Sequence, residues 1–255
     1  MLLEHKRALV TGAGGRLGRE IVGVLAREGA EVAGLDLHPN EAPAAALSVV
    51  ADVTDPDVVA ATVERVEDEL GPLDVLINAH GIFPTYRLVD VGAPEWDHVF
   101  AVNVRGCMLT CQAVTRRWLA QARPGAIVNL SSGAGSSARA GGAAYCGSKA
   151  ALNMMTKVLA IELGPAGIRV NAISPGLVLD EVLERGASGA EPYVLAMLEA
   201  TPLGRTGRPN DIAEMVAFLA SERAAWITGE VIEVTGGSGA GRTHMPVAHD
   251  PHHER

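Results

Sequence analysis

The stretch Arg7-Ala8-Leu9-Val10-Thr11-Gly12-Ala13-Gly14-Gly15-Arg16-Leu17-Gly18 decides the fold. Its first four residues form a short, mostly apolar run of strand character, which the glycines interrupt. Arg19 to Glu28 then places Ile21, Val22, Val24 and Leu25 at helical spacing, and Gly29 stops the pattern. A strand, a glycine turn and a helix in this order make a phosphate-binding unit. Glycine lets the backbone approach a pyrophosphate, and a helix N-terminus offers free N–H groups at a positive dipole end. Gly12, Gly14 and Gly18, with Arg16 and Leu17 beside them, are the candidate contacts.

The next strand, Glu31 to Leu35, ends at Asp36. An acid at that point, roughly 20 residues past the glycines, can accept hydrogen bonds from the hydroxyls of an adenosine ribose. Strand and helix keep alternating. Val49-Val50-Ala51 ends at Asp52-Val53, and an amphipathic helix runs from Pro56 to Leu70 before Gly71-Pro72. Leu73 to Asn78 is a fourth strand, followed by a helix from Pro94 to about Gln121. Ala126 to Leu130 is the fifth strand and ends at Ser131-Ser132. A helix from about residue 143 to 163, a strand Ile168 to Ile173, a helix Asn210 to Ser221 and a strand Glu230 to Val234 complete the series. Strands separated by helices predict one α/β domain, a Rossmann-like doubly wound parallel sheet of about seven strands in three layers. The strands are nearly all apolar, as burial on both faces requires. The domain is expected over residues 1–238, with a substrate flap at about 178–205 and a Gly/His-rich tail at 239–255 read as frayed or partner-contacting.

Composition narrows the class. The 255 residues are 48% hydrophobic and 20% charged, which suits one well-buried core. Net charge is −9 without a basic block, arguing against nucleic acid as a partner. The longest apolar runs are too short for a membrane span, and the N-terminus lacks the apolar core of a signal peptide, so a cytoplasmic protein is expected. The three cysteines have no metal-ligand spacing and no metal is expected; Cys107 and Cys111 read as small buried residues.

In sheets of this kind, ligands bind beyond the carboxyl ends of the strands. Polar residues gather there: the glycine turn, Asp36, Asp52, Asn78, Ser132 and Pro175-Gly176, one position per strand end. Tyr145 and Lys149 then lie four apart near the start of a helix and share one face. A phenol with a pKa near 10 is a poor acid or base at neutral pH. A neighbouring ammonium is expected to lower that value, and a shift of about 2–3 units corresponds to roughly 3–4 kcal/mol.

These motifs together make the chain resemble the short-chain dehydrogenase/reductase family over roughly residues 6–238. Thr11 to Gly18 matches the family's Thr-Gly-x-x-x-Gly-x-Gly turn except at Arg16, where Gly is usual. Asn78-Ala79-His80-Gly81 matches Asn-Asn-Ala-Gly at its first and last positions. Asn103 matches the catalytic Asn, and Ser132 stands thirteen residues before Tyr145, the spacing of the catalytic Ser. Ser174-Pro175-Gly176-Leu177-Val178 matches the loop over the nicotinamide, with Asp180 where Thr is frequent. The resemblance implies a reversible hydride transfer between a nicotinamide cofactor and a secondary alcohol or ketone. Tyr145 would be the acid or base, with Lys149 tuning it and holding the ribose. Ser132 would bind the substrate oxygen, and Asn103 would hold a water. Expected cofactor contacts are Gly12, Gly14, Arg16, Leu17, Gly18, Asp36, Asp52, Val53, Asn78, Gly81, Tyr145, Lys149, Pro175, Gly176 and Val178.

Asp36 favours NAD, because a 2′-phosphate about 4 Å from its carboxylate would be repelled by roughly 1–4 kcal/mol. Arg16 complicates that choice: it can reach toward a phosphate or pair with an acid such as Asp36. The flap residues Leu179, Val182, Leu183, Tyr193, Leu195 and Met197 suggest an apolar or mixed substrate pocket, and Glu181, Glu184 and Glu191 disfavour a strongly anionic substrate. His80 reads as a loop-structural residue. By analogy with the family, a homotetramer is expected. The alternatives are an NADPH-dependent 3-oxoacyl-carrier-protein reductase, which Asp36 disfavours; a redox-sensing regulator, which the intact catalytic set disfavours; and a longer epimerase or dehydratase type.

Overall fold

The computed structural model describes residues 1–39 and 42–241. Seven strands are present: Arg7–Thr11 (β1), Glu31–Asp36 (β2), Leu47–Val50 (β3), Val75–Asn78 (β4), Gly125–Leu130 (β5), Ile168–Pro175 (β6) and Val231–Val234 (β7). All pair in parallel, in the order β3-β2-β1-β4-β5-β6-β7. Strand order therefore reverses between β1 and β4, and the crevice at their carboxyl ends is where such a sheet accepts a ligand. The α/β expectation holds, and element bounds move by only a few residues.

The helices are Arg16–Arg27 (α1), Pro56–Leu70 (α2), Ala93–Phe100 (α3), Cys107–Ala120 (α4), Ala143–Leu163 (α5), Pro192–Glu199 (α6) and Pro209–Ala220 (α7). Local chemistry sets their ends. Asp55 caps α2 by accepting from the N–H groups of Asp57 and Val58 at 3.0 and 3.1 Å, and Gly71 ends that helix at φ 94°. The sheet separates two apolar layers. On one side Ile21, Val22 and Leu25 of α1 join Ile212, Val216 and Leu219 of α7 over β1 and β4. On the other, Val59, Val63 and Val66 of α2 meet Cys111, Val114 and Trp118 of α4.

The helix expected over residues 94–121 is interrupted. Between α3 and α4, Ala101–Gly106 winds as a π-helical turn, with Asn103 and Gly106 buried. A wider turn re-aims the side chains within it, and such turns recur at functional sites. Within the flap, α6 is a short helix, and the loop before it is tied down by backbone bonds from Leu179 to Gly207 and from Arg185 to Gly204. The expected tail over 239–255 lies outside the described residues from residue 242 onward.

Candidate active site

The turn between β1 and α1 is held very close to its neighbours. Gly12 adopts φ +68°, and a Cβ there would sit 2.6 Å from the Cα of His80. At Gly18 a Cβ would sit 2.0 Å from the carbonyl oxygen of Gly12. Only glycine fits either place, so the backbone itself forms the surface. No side chain caps α1 at Gly15, which leaves first-turn N–H groups for an anion. The Gly14 N–H donates to Asp36 Oδ2 at 2.8 Å, fixing the acid at the end of β2 against this turn. The cradle fits the diphosphate and ribose of a dinucleotide.

Arg16 does not pair with Asp36. It meets Asp180 at 3.6 Å, so two of the positions that depart from the family motifs face each other across the crevice. Asp52 accepts from the N–H and the hydroxyl of Thr54, both at 2.8 Å, and these bonds hold its carboxyl below the usual range. Val53 beside it is buried. Asn78 is placed differently from the expectation. Its side chain turns into the core, donating to Asn129 Oδ1 at 2.9 Å and accepting from Thr110 Oγ1 at 2.7 Å. The strand end puts its backbone at the crevice, while its amide ties β4 to β5 and α4. Gly81 lies where a Cβ would come 3.3 Å from Asn103 Oδ1 and 3.5 Å from Lys149 Nζ. Pro175 closes β6, Gly176 packs against Thr235, and buried Val178 bridges to Gly207.

Tyr145 and Lys149 stand on one face of the first turns of α5, and Ser132 follows β5. The Ser132 hydroxyl accepts from the Ala134 N–H at 3.2 Å and lies near enough to the Tyr145 phenol to pull its pKa down. Burial pushes the Tyr145 pKa up, against the pull of Ser132 and of Arg139. This corrects the expectation that Lys149 would set a lowered value. The Lys149 ammonium lies over the ring, 5.9 Å from its centroid, and donates to the Leu130 carbonyl at 2.8 Å. Burial pushes Lys149 itself down. Asn103 exchanges two 2.8 Å bonds with the backbone of Ile82 and donates to Ser148 Oγ at 3.1 Å. The π-helical turn therefore brings Asn103 beside Lys149 without a direct bond between them.

Three neighbours of this group were not singled out as site residues by the sequence reading. Phe83 meets the Tyr145 ring edge-on at 6.4 Å between centroids. Arg139 lies over the same ring at 5.3 Å and donates to the Tyr193 hydroxyl at 3.1 Å. Arg139 had a legible signal, being the single charged residue between Ser132 and Tyr145. His80 is buried beneath the glycine turn, its Nδ1 2.6 Å from Thr11 Oγ1 and its Nε2 3.5 Å from Cys107 Sγ. A separate cavity of about 720 Å³ opens at the opposite, amino ends of β4, β5 and β6, beside Trp226, away from all these groups.

Known proteins with this architecture are numerous. A family model described as enoyl-(acyl carrier protein) reductase matches residues 12–239. D-threitol dehydrogenase of Mycolicibacterium smegmatis is 38% identical over 245 residues, covering 92% of this chain and 93% of the relative. The 3-oxoacyl-acyl-carrier-protein reductase FabG of Staphylococcus aureus is 38% identical over 243 residues, covering 91% and 97%. The crystal structure of a short-chain type dehydrogenase/reductase from Mycobacterium marinum superposes with a TM-score of 0.83 at 32% identity, covering 92% of this chain and 96% of that one.

Proposed function

Because this chain belongs to the short-chain dehydrogenase/reductase family and is an oxidoreductase of CH–OH and keto groups, we propose that Asn103, Ser132, Tyr145 and Lys149 form its catalytic set and that NAD is its cofactor. The observation behind this reading is the convergence of Ser132, the Tyr145 phenol, Lys149 and the Gly12–Gly18 cradle at one crevice. A bound nicotinamide supplies the hydride donor or acceptor. The chain's own groups handle the proton and the geometry. In ketone reduction the Tyr145 phenol, kept protonated by burial, gives its proton to the carbonyl oxygen. Ser132 holds the same oxygen and steadies its developing charge. Lys149 would hold the ribose of the bound cofactor, and Asn103 fixes the loop through Ile82. In alcohol oxidation the same groups run in reverse.

Asp36 supports NAD over NADP. Its carboxylate is fixed at the ribose end of the cradle, and Arg16 faces Asp180 instead of compensating it. Gly12, Gly14, Leu17 and Gly18 would hold the diphosphate, Asp52 and Val53 the adenine side, and Gly81, Pro175, Gly176 and Val178 the nicotinamide side. The domain over residues 1–238, with its flap at 178–205, is one working unit. The test is an NAD-linked screen of secondary alcohols, hydroxy acids, sugars and hydroxysteroids, with Tyr145→Phe as control. That variant is expected to bind NAD normally and to lose about 10²–10⁴-fold in turnover. Near-normal turnover would remove Tyr145 from the mechanism.

A homotetramer is part of the same reading. Met154, Val158 and Ile161 on α5 and Met108 and Leu119 on α4 are exposed apolar side chains, a pattern that suits burial against another copy. Sedimentation at the single-chain mass would reject it. No helix among the described residues is long and apolar enough to cross a membrane. Free Cys107, Cys111 and Cys146 fit a reducing, cytoplasmic setting, which cell fractionation checks.

A further inference from the structure

Arg139 has an unusual set of partners for a half-buried guanidinium. Its Cζ lies 5.3 Å from the centroid of the Tyr145 ring, a cation–π distance. Its Nη1 donates to the hydroxyl of Tyr193 on α6, 54 residues away. Its Nε is buried and has no hydrogen-bond partner. Several other arginines meet acids, as Arg16 meets Asp180, Arg117 meets Glu67, Arg123 meets Asp74 and Arg205 meets Asp211, while Arg19, Arg105, Arg169 and Arg185 donate to backbone carbonyls. Among the described residues, none of the ion pairs within 4.0 Å involves Arg139.

A half-exposed guanidinium with no acid partner, held by two tyrosines at the Tyr145 ring, can receive an oxyanion at its outer nitrogens. Resting on the oxidoreductase reading above, we propose that Arg139 binds a carboxylate of the substrate, making this enzyme a dehydrogenase of hydroxy acids and their keto-acid counterparts. In the reducing direction the keto carbon would take a hydride from the reduced cofactor, the protonated Tyr145 phenol gives its proton to the keto oxygen, and the carboxylate is unchanged. A singly charged carboxylate fits better than a phosphate dianion. The flap that supplies Tyr193 also carries Glu181, Glu184 and Glu191, and its Arg185 is occupied by the Thr201 carbonyl. Exposed Phe83, edge-on to Tyr145, offers an apolar wall for the carbon chain.

The experiment compares hydroxy acids of increasing chain length with their methyl esters, using the NAD-loaded wild-type, Arg139→Gln and Tyr193→Phe enzymes. The readout is the ratio of kcat/KM for acid to that for ester. The wild type is expected to favour the acid by about ten- to a hundred-fold, the range of one charge-assisted interaction. Arg139→Gln is expected to bring the ratio near one, and Tyr193→Phe to reduce it in part. A ratio that Arg139→Gln leaves unchanged, or a wild type that prefers the ester, overturns the proposal. Should Arg139→Gln fold poorly by circular dichroism, the wild-type ratio and the Tyr193→Phe ratio still decide. Calorimetry of the acids on NAD-loaded Tyr145→Phe separates the two readings. Arg139-dependent binding of the acid, with no wild-type turnover of any alcohol, sinks the oxidoreductase assignment alone. Equal binding of acid and ester sinks the Arg139 assignment alone.

Discussion

A single carboxylate decides the cofactor preference proposed for this chain. Asp36 accepts from the Gly14 N–H at 2.8 Å, so it cannot easily swing away from an added phosphate. Asp36→Ser removes the charge and leaves a small hydrogen-bonding group. It is expected to raise kcat/KM with NADP relative to NAD by about ten-fold or more, given a repulsion of roughly 1–4 kcal/mol. An unchanged ratio in steady-state kinetics would place the discrimination elsewhere. Tyr145 makes the same point for the proton. Its protonation state follows from its surroundings more than from its type: burial raises its pKa while Ser132 and Arg139 act against that rise.

Among the elements, the glycine turn and the loop after β6 are joined by Arg16 and Asp180. Both side chains are well exposed, 44% and 71%, and their 3.6 Å pair spans the crevice mouth. An exposed pair of this kind contributes only about 0.2–1 kcal/mol. Its expected effect is on cofactor handling. Arg16→Ala and Asp180→Ala should each change KM for NAD by a few-fold, and the double variant should show less than the sum, with little change in melting temperature. Strict additivity in that cycle would show that the two residues act independently. The π-helical turn over Ala101–Gly106 is another element-scale device. A Cβ at Gly106 would stand 2.9 Å from Val53 Cγ2 and 3.0 Å from His80 Nε2, so the turn packs tightly against the loop after β3 and against His80.

At the scale of the molecule, His80 links the layers. It lies under β1 and the glycine turn, reaches Cys107 at the start of α4, and is buried. Burial and the nearby Lys149 push its pKa down to about 4. Below a pH of about 6.5 the unfolded chain takes up this proton while the native chain refuses it, so the unfolded state binds more protons. The associated stability is therefore full above about pH 6.5 and is lost as pH falls toward 4, roughly 3 kcal/mol in all. Urea unfolding midpoints across this range should fall with acid, and more steeply in the wild type than in His80→Asn. Equal slopes would mean that other groups set the acid response.

The parts legible in the sequence are those fixed by a few neighbouring residues. Glycine conformations, apolar periodicity and strand-end polar residues specify β1, its turn, α1 and the alternating sheet, because each depends on torsional preference and burial within one segment. Tyr145 and Lys149 share a face because helical geometry alone requires it. Tertiary structure decided the rest. Asn78 turned inward because Asn129 and Thr110, from β5 and α4, arrive to bond it. Arg16 found Asp180, and Arg139 found Tyr193, across separations that no local pattern records. The ammonium of Lys149 settled on the Leu130 carbonyl and the tyrosine ring face, so burial, not a neighbouring charge, governs the phenol. Local sequence sets the backbone path, while the side-chain partners and the dielectric around each charge exist only once distant segments have packed together.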